Sequence, residues 1–154
     1  MSIGRAAVFY RRDGAPTPIG CFGHVGWGFE DDHGRFVFGA TENPLGDFHI
    51  APGQDAGAWH QRGTLADAVA AMRSRRYDAY KYATFRDAAP SAAEMRMNFN
   101  EANGYDIQGN NCLDHTFKIL EAYRQPDLQW PLTHGSPNEW FALYNGEFHN
   151  IASE

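Results

Sequence analysis

Two stretches in which apolar residues alternate with small ones stand out along the chain. They cover residues 23–30 and 35–41, and the polar residues 31–34 between them have the composition of a turn. Alternation with a period of two is typical of strands that bury one face. The pattern therefore predicts an antiparallel β-hairpin over residues 23–41.

The register of this hairpin decides which side chains share a face. Pairing about the turn sets the following residues opposite one another: Val25 and Ala40, Trp27 and Phe38, Phe29 and Phe36. These side chains would form a continuous apolar surface. The other face carries His24 and otherwise mostly small side chains, at Gly26, Gly28, Val37, Gly39 and Thr41. We expect this bare face to let another element approach the imidazole closely.

Apolar residues recur with helical spacing in three later segments. They predict helices over residues 64–76, 91–102 and about 113–123, and they place Cys112 at the amino terminus of the third. Each of the first two begins with a Thr or Ser that can cap a helix.

The remaining segments of the chain are predicted to be strands and loops. Residues 6–10 and 80–85 have the composition of strands. Residues 44–63 read as a long loop, and residues 126–154 as a tail with a short helix and coil. The mixture predicts an α+β fold with an antiparallel sheet, in a single domain over residues 1–154.

The composition limits the classes of binding partner that we expect for this protein. A formal net charge of −6 argues against a nucleic-acid surface, and the basic residues 73–76 close a predicted helix, where cations complement the dipole. No window approaches the ~18 apolar residues of a membrane span, and residues 1–8 lack the apolar stretch of a signal peptide. We expect no nucleic-acid partner and no integral membrane segment. The protein would be cytoplasmic as synthesised, or exported by a route that needs no signal peptide.

Cys112 is the main candidate for chemistry. The first turn of a helix offers unpaired backbone N–H groups and the positive end of the dipole, and both favour a thiolate. His24 is the best-placed general base, because its face of the hairpin is open to approach. Alternatively, Cys112 is an inert core residue and His24 is structural. Cys21 has no comparable context, so we expect an unperturbed or shielded thiol there and no disulfide.

A metal site is the other chemistry that these residues could support. His115 lies three residues after Cys112, which is a spacing that helical metal ligands use. No second Cys or His pair accompanies them. Neither a metal nor any other cofactor is predicted.

Residues 105–117, with the sequence YDIQGNNCLDHTF, place an Asn-Cys pair at the start of a helix and follow it with His and Phe. Residues 23–29, GHVGWGF, form a histidine-bearing strand ahead of that helix. Together they resemble the lecithin:retinol acyltransferase-like proteins, a circularly permuted branch of the NlpC-type papain-like superfamily. The resemblance extends over roughly residues 20–124 and implies a papain-like fold, in which a sheet packs against the cysteine-bearing helix.

The same resemblance implies acyl transfer through a covalent cysteine acyl-enzyme. Cys112 would be the nucleophile, and His24 the base that takes the thiol proton and returns it to the leaving group. The backbone N–H of Cys112 and a side-chain amide of Asn110 or Asn111 could hold the oxyanion. Either asparagine could instead simply cap the helix, and Asn111 is well placed to do so.

A third polar group should orient the imidazole of His24. In the family it is commonly a second histidine twelve residues further on, but that position is Phe36 here. Strand parity favours Asn43 as the replacement, followed by Thr41 and then Glu42, which needs a bulge to turn inward. Alternatively, this stretch only ends the strand.

These expectations favour an enzyme, a thiol-dependent hydrolase or acyltransferase that acts on an amide, peptide or ester bond. The resemblance implies substrates from bacterial cell-wall peptide stems to lipid acyl groups, and the lack of a membrane anchor favours a peptide-like one. Frequent Ala and Arg indicate a bacterial genome rich in G and C. A cell-wall amidase or an exported effector, with an immunity or delivery protein as partner, fits that setting. The alternative is a non-catalytic papain-like module used for binding or structure.

Overall fold

The computed structural model describes residues 3–13, 16–17, 20–21, 23–131 and 136–151, with only the backbone described at residues 16–17 and 20–21. The elements in chain order are β1 (Ile3–Arg11), β2 (Pro16–Thr17), β3 (Gly20–Cys21), β4 (His24–Glu30), β5 (Phe36–Thr41), β6 (His49–Ile50), β7 (Ala58–Gly63), α1 (Leu65–Ser74), β8 (Ala79–Arg86), α2 (Pro90–Ala102), β9 (Tyr105–Asp106), α3 (Cys112–Ala122), α4 (Pro137–Leu143) and β10 (Glu147–Asn150).

Six strands form one antiparallel sheet in the order β10-β8-β1-β4-β5-β7. Two short pairs lie apart from it, β2 with β3 and β6 with β9. Helices α2, α3 and α4 share a buried apolar cluster with one face of the sheet, and α1 shares another with the opposite face. The predicted α+β class is confirmed, and the three predicted helices form as α1, α2 and α3. Among the described helices, none has both the length and the apolar character needed to cross a membrane.

The predicted hairpin forms from β4 and β5, but its register differs from the prediction by one residue. The paired residues are Trp27 and Gly39, Gly28 and Phe38, Phe29 and Val37, and Glu30 and Phe36. The connection causes the difference, because Asp31 closes a five-residue turn. Its backbone N–H donates to the Arg35 carbonyl, and its carboxylate accepts from the N–H groups of His33 and Arg35. The predicted pairing of Phe29 with Phe36 is therefore wrong.

A one-residue slip turns every side chain of the second strand to the other face of the sheet. The His24 face consequently receives the large residues of β5, which pack against α1: Phe36, Phe38 and Ala40. The prediction of a bare face beside His24 is thus wrong. The opposite face holds Val25, Trp27, Phe29 and Val37, beneath α2 and α3.

Two edge strands lie where loop or coil was predicted. β7 pairs with β5 within the predicted loop, and β10 pairs with β8 in the predicted tail. Both strands leave most of their side chains at least partly exposed, and their sequences, AWHQRG and EFHN, are largely polar. An edge strand buries little apolar surface, so neither shows the alternation on which strand prediction depends.

Candidate active site

The start of α3 is fixed by a reciprocal capping box. Asn111 Oδ1 accepts hydrogen bonds from the N–H groups of Leu113 and Asp114, and the Asp114 carboxylate accepts from the Asn111 N–H, each at 3.0 Å. Within the described ranges, the Cys112 N–H has no backbone or side-chain acceptor. Cys112 therefore stands as the first helical residue, at the positive end of the α3 dipole.

The sulfur of Cys112 and the ring of His24 interact directly. The two side chains are hydrogen-bonded, and the backbone N–H of Val25 also donates to the sulfur. Both residues are nearly excluded from solvent, at 6% and 5% exposure. His24 is the first residue of β4, so its ring lies at the end of the strand, where the start of α3 reaches it. The fold thus joins two residues that are far apart in sequence.

Glu42 is the third member of this cluster. Its Oε2 lies 3.3 Å from His24 Nε2, as an ion pair in which the N–H is not aligned for a regular hydrogen bond. Continuing the observed β4–β5 register sets Glu42 opposite His24, whereas the predicted register turned it away. No bulge is needed. Since Nε2 faces the carboxylate, Nδ1 is the ring nitrogen left for the thiol.

The two residues ranked ahead of Glu42 have other partners, so that ranking is wrong. Thr41 Oγ1 lies 2.6 Å from His115 Nδ1. Asn43 leaves the strand conformation with φ 44°, and its Nδ2 donates to the Asp47 carbonyl at 2.9 Å. Strand parity does not apply to a residue in this left-handed turn. Asn43 Oδ1 is buried without a hydrogen-bond partner among the described residues.

Three further side chains hold the Glu42 carboxylate in place. Trp59 Nε1 and the Tyr77 hydroxyl donate to Oε1 at 3.0 and 2.8 Å, and an Arg11 guanidinium nitrogen lies 3.5 Å from Oε2. None of the three was predicted. They come from β7, the segment before β8 and β1, and nothing in the sequence pattern shows that these segments converge.

Charges and hydrogen bonds within the cluster favour an ion pair between the thiolate and the imidazolium. Burial raises the pKa of the Cys112 thiol, but the His24 charge and the hydrogen bonds from His24 and Val25 outweigh it and lower the pKa. Burial lowers the pKa of His24, but Cys112 and Glu42 together raise it to about 9. Burial raises the pKa of Glu42, while its hydrogen bonds and the His24 charge bring it down to about 2. Glu42 is thus ionised and His24 protonated at neutral pH.

The side chains of the asparagines before Cys112 position the loop. Asn111 Nδ2 donates to the Ile107 carbonyl at 3.0 Å, and Asn110 Nδ2 donates to the Asn103 carbonyl at 3.2 Å. One of the two N–H groups of each side-chain amide is thus engaged. The alternative of helix capping is correct for Asn111, and an amide contribution to an oxyanion site stays a prediction.

His115 links the end of β5 to the loop before Cys112. Its Nδ1 lies 2.6 Å from Thr41 Oγ1, and its Nε2 lies 2.8 Å from Asn110 Oδ1. Because an amide oxygen only accepts, Nε2 carries the proton and Nδ1 accepts from the threonine hydroxyl. Burial, with the charges of Lys118 and Arg96, lowers the pKa of His115 to about 4. His115 is therefore a neutral structural residue at physiological pH.

The ring of Tyr105 packs edge-on against the ring of His115, with 6.4 Å between the ring centroids, and His115 lies one turn after Cys112 in α3. Burial and the charge of Cys112 raise the pKa of Tyr105 to about 12, against an opposing hydrogen bond from the Asn43 side chain. The hydroxyl stays protonated at neutral pH and can donate a hydrogen bond. No sequence pattern pointed to Tyr105, because a single tyrosine in a polar loop has no distinctive spacing.

The described residues contain no group of three or more His, Cys, Asp or Glu side chains that could hold a metal ion. Cys112 is a free thiol. The side chain of Cys21 lies outside the described part of the structure, so the expectation for its thiol stays a prediction.

Comparison with protein-family models, with curated proteins and with solved structures finds no match for this chain. The central feature of this site is a series of contacts, from the Cys112 thiol to the His24 ring and from that ring to the Glu42 carboxylate.

Proposed function

We propose that this protein is a cysteine hydrolase or acyltransferase in which Cys112 is the nucleophile, His24 the general acid and base, and Glu42 the group that orients the imidazole. The observation that carries the proposal is the buried contact series from sulfur to imidazole to carboxylate. A buried ion pair costs stability unless it is well compensated. A thiolate held next to an imidazolium is, however, the form that attacks an acyl carbon.

The reaction follows from the positions of these groups. The Cys112 thiolate attacks the carbonyl carbon of an amide or ester, and the C–N or C–O bond breaks as His24 donates its proton to the leaving amine or alcohol. A thioester on Cys112 remains. Neutral His24 then removes a proton from water or from an acceptor alcohol or amine, which attacks the thioester and releases the thiolate.

Oxyanion stabilisation is assigned to Tyr105 and to the backbone of Cys112. The Cys112 N–H lacks an acceptor among the described residues. The Tyr105 hydroxyl is a protonated donor, on a ring that packs against His115 one turn along α3 from Cys112. Both could donate to the carbonyl oxygen as charge develops on it. We rank these two donors ahead of the side-chain amides of Asn110 and Asn111, each of which already donates one hydrogen bond within the loop.

The architecture supports the fold proposal that goes with this chemistry. Helix α3, which begins at Cys112, packs on the antiparallel sheet. Strand β4, which begins at His24, belongs to that sheet and comes before α3 in the chain. That order is the one expected for a permuted papain-like domain. Glu42 takes the orienting role that a second histidine commonly has in the acyltransferase-like branch.

The test is formation of an acyl-enzyme on Cys112. Incubation with p-nitrophenyl acetate, followed by intact-mass and peptide mass spectrometry, should show one acetyl group on Cys112 and a burst of nitrophenol. Cys112→Ala should abolish both signals, and Cys21→Ser is the matched control that retains them. A protein whose Cys112 is acylated no faster than a free thiol would instead be a binding or structural module.

A further inference from the structure

A short ribbon beside the proposed catalytic thiol exposes large apolar side chains. The ribbon consists of β6, β9 and the residues that extend them, Phe48 and Ile107. The Ile107 N–H donates to the Phe48 carbonyl at 2.9 Å, so the two residues are neighbours across the ribbon. They are 73% and 48% exposed. Leu45, in the turn that leads into β6, is 85% exposed.

The pairing of the ribbon puts these side chains on one face, next to the start of α3. His49 pairs with Asp106 and Ile50 with Tyr105, so alternation puts Phe48 and Ile107 on the same face as Ile50 and Tyr105. Asp106 forms a β-bridge with Asn110, two residues before Cys112, and the Tyr105 ring contacts the ring of His115, 6.4 Å between centroids, one turn after Cys112. We call this face, formed by Ile50, Tyr105, Phe48 and Ile107, the apolar strip.

The segments that frame the thiol are acidic as well as apolar. Residues 42–57 and 101–114 contain six carboxylates and no Lys or Arg: Glu42, Asp47, Asp55, Glu101, Asp106 and Asp114. Glu42 is bound within the cluster, and Glu101 and Asp106 face His60 and His49. Asp47 and Asp55 are exposed. A ligand here meets apolar surface together with the exposed carboxylates of Asp47 and Asp55, which favour cations and disfavour phosphates and carboxylates.

We propose that the apolar strip binds a polypeptide substrate that carries a bulky apolar residue and a Lys or Arg next to the acyl group transferred to Cys112. This inference rests on the proposed function and narrows its substrate class. A carboxylate-rich cell-wall stem peptide has too little apolar surface and the wrong charge. A phospholipid would bring its phosphate against the acidic segments.

Four peptide vinyl sulfones test the proposal, since each alkylates a catalytic cysteine without requiring knowledge of the bond that is cut. They are Ac-Lys-Phe, Ac-Glu-Phe, Ac-Lys-Gly and Ac-Glu-Gly vinyl sulfone. The second-order rate of labelling of Cys112 is followed by intact mass. We expect Phe to label on the order of tenfold faster than Gly, as for a change of apolar contact in a pocket. Lys should label a few-fold faster than Glu at low salt, and this charge effect should shrink at high salt.

Variants locate the selectivity on the strip. Phe48→Ser and Ile107→Ser should each remove most of the preference for Phe, whereas Phe148→Ser, an equally drastic change at exposed strand β10, should keep it. Asp47→Asn should weaken the preference for Lys, with Asp32→Asn in the hairpin turn as its control. Thermal unfolding of each variant confirms that it is folded.

Iodoacetamide, which has no side chain to recognise, separates this inference from the proposed function. Fast alkylation of Cys112 by iodoacetamide with equal rates for all four vinyl sulfones would overturn the strip proposal alone. Slow alkylation by every reagent would overturn the proposed function as well. Cosedimentation with phosphatidylcholine vesicles that is lost in Phe48→Ser would identify the strip as a lipid-binding surface and contradict the polypeptide assignment.

Discussion

His24 and Glu42 face each other across the β4–β5 hairpin, with Nε2 and Oε2 3.3 Å apart. The carboxylate is also held by Trp59 and Tyr77, so it can fix the orientation of the ring as well as its charge. Orientation matters because only one ring nitrogen can serve the thiol.

Glu42→Gln should move the alkaline limit of activity to lower pH. His24 must be protonated to serve the leaving group, and Glu42 helps to raise its pKa to about 9. We therefore expect acylation by p-nitroacetanilide, whose amine leaves only with a proton, to fall above about pH 9 in the natural protein, and at lower pH in the variant. The variant's kcat/KM should be lower by about ten- to a hundredfold.

Asn43→Gly is the control for this measurement, since glycine accepts the left-handed backbone of Asn43 without strain. Asn43→Gly should leave unchanged the pH above which acylation falls. A shift in Asn43→Gly together with an unchanged limit in Glu42→Gln would return the orienting role to Asn43.

Glu42 should also make stability depend on pH in the acid range. Its pKa is about 2 in the folded protein, below the ordinary value of about 4.3, so the stabilisation is present above about pH 4.5 and is lost as the pH falls towards 2. The contribution is up to about 3 kcal/mol. Urea unfolding at intervals between about pH 6 and 2 measures the free energy of unfolding. This free energy should fall less steeply with decreasing pH in Glu42→Gln than in the natural protein. Parallel curves for the two proteins would contradict the carboxylate's shifted pKa.

The sequence was sufficient to predict the α+β class, the β4–β5 hairpin and the three helices, because each buries an apolar face with a regular period. Cys112 and His24 could be selected for the same reason. One begins a helix with a clear capping signal, and the other begins a strand with clear alternation.

The residue that faces His24 across the hairpin could not be predicted, because its identity depends on a single step of register. Alternation alone does not distinguish the four-residue turn of the prediction from the five-residue turn that Asp31 closes. The length of this turn directly decides whether Asn43 or Glu42 faces His24. Tyr77, Trp59 and Arg11 were beyond prediction for a different reason, because their convergence on Glu42 is a property of the whole sheet.

Tyr105→Phe should slow acyl transfer without changing the reactivity of the thiol. Removing one oxyanion donor costs about a hundred- to a thousandfold in kcat where such donors have been deleted. Alkylation by iodoacetamide forms no oxyanion, so its rate and pH dependence should stay as they are. Equal losses in alkylation and in acyl transfer would show that Tyr105 acts on the thiol and not on the transition state.

His115→Gln should destabilise the protein and leave its pH profile unchanged. The substitution disturbs a buried hydrogen bond to Thr41 and a partly buried one to Asn110, at a cost of about 2 kcal/mol. His115 has a pKa of about 4 and is neutral throughout the working range, so it contributes no titration there. Urea unfolding measures the first effect, and the pH dependence of acylation measures the second. Displacement of the alkaline limit would contradict a purely structural role.

The ion pair between Cys112 and His24 is tested most directly by the rate of iodoacetamide alkylation as a function of pH. Site-resolved mass spectrometry would compare Cys112 with glutathione between about pH 5 and 9. The thiolate held by His24 should react at about pH 6, where an ordinary thiol with a pKa near 8.5 is almost fully protonated. His24→Ala should move the curve of Cys112 towards that of glutathione. If Cys112 in the natural protein follows the glutathione curve, the thiol is not activated and the catalytic account is wrong.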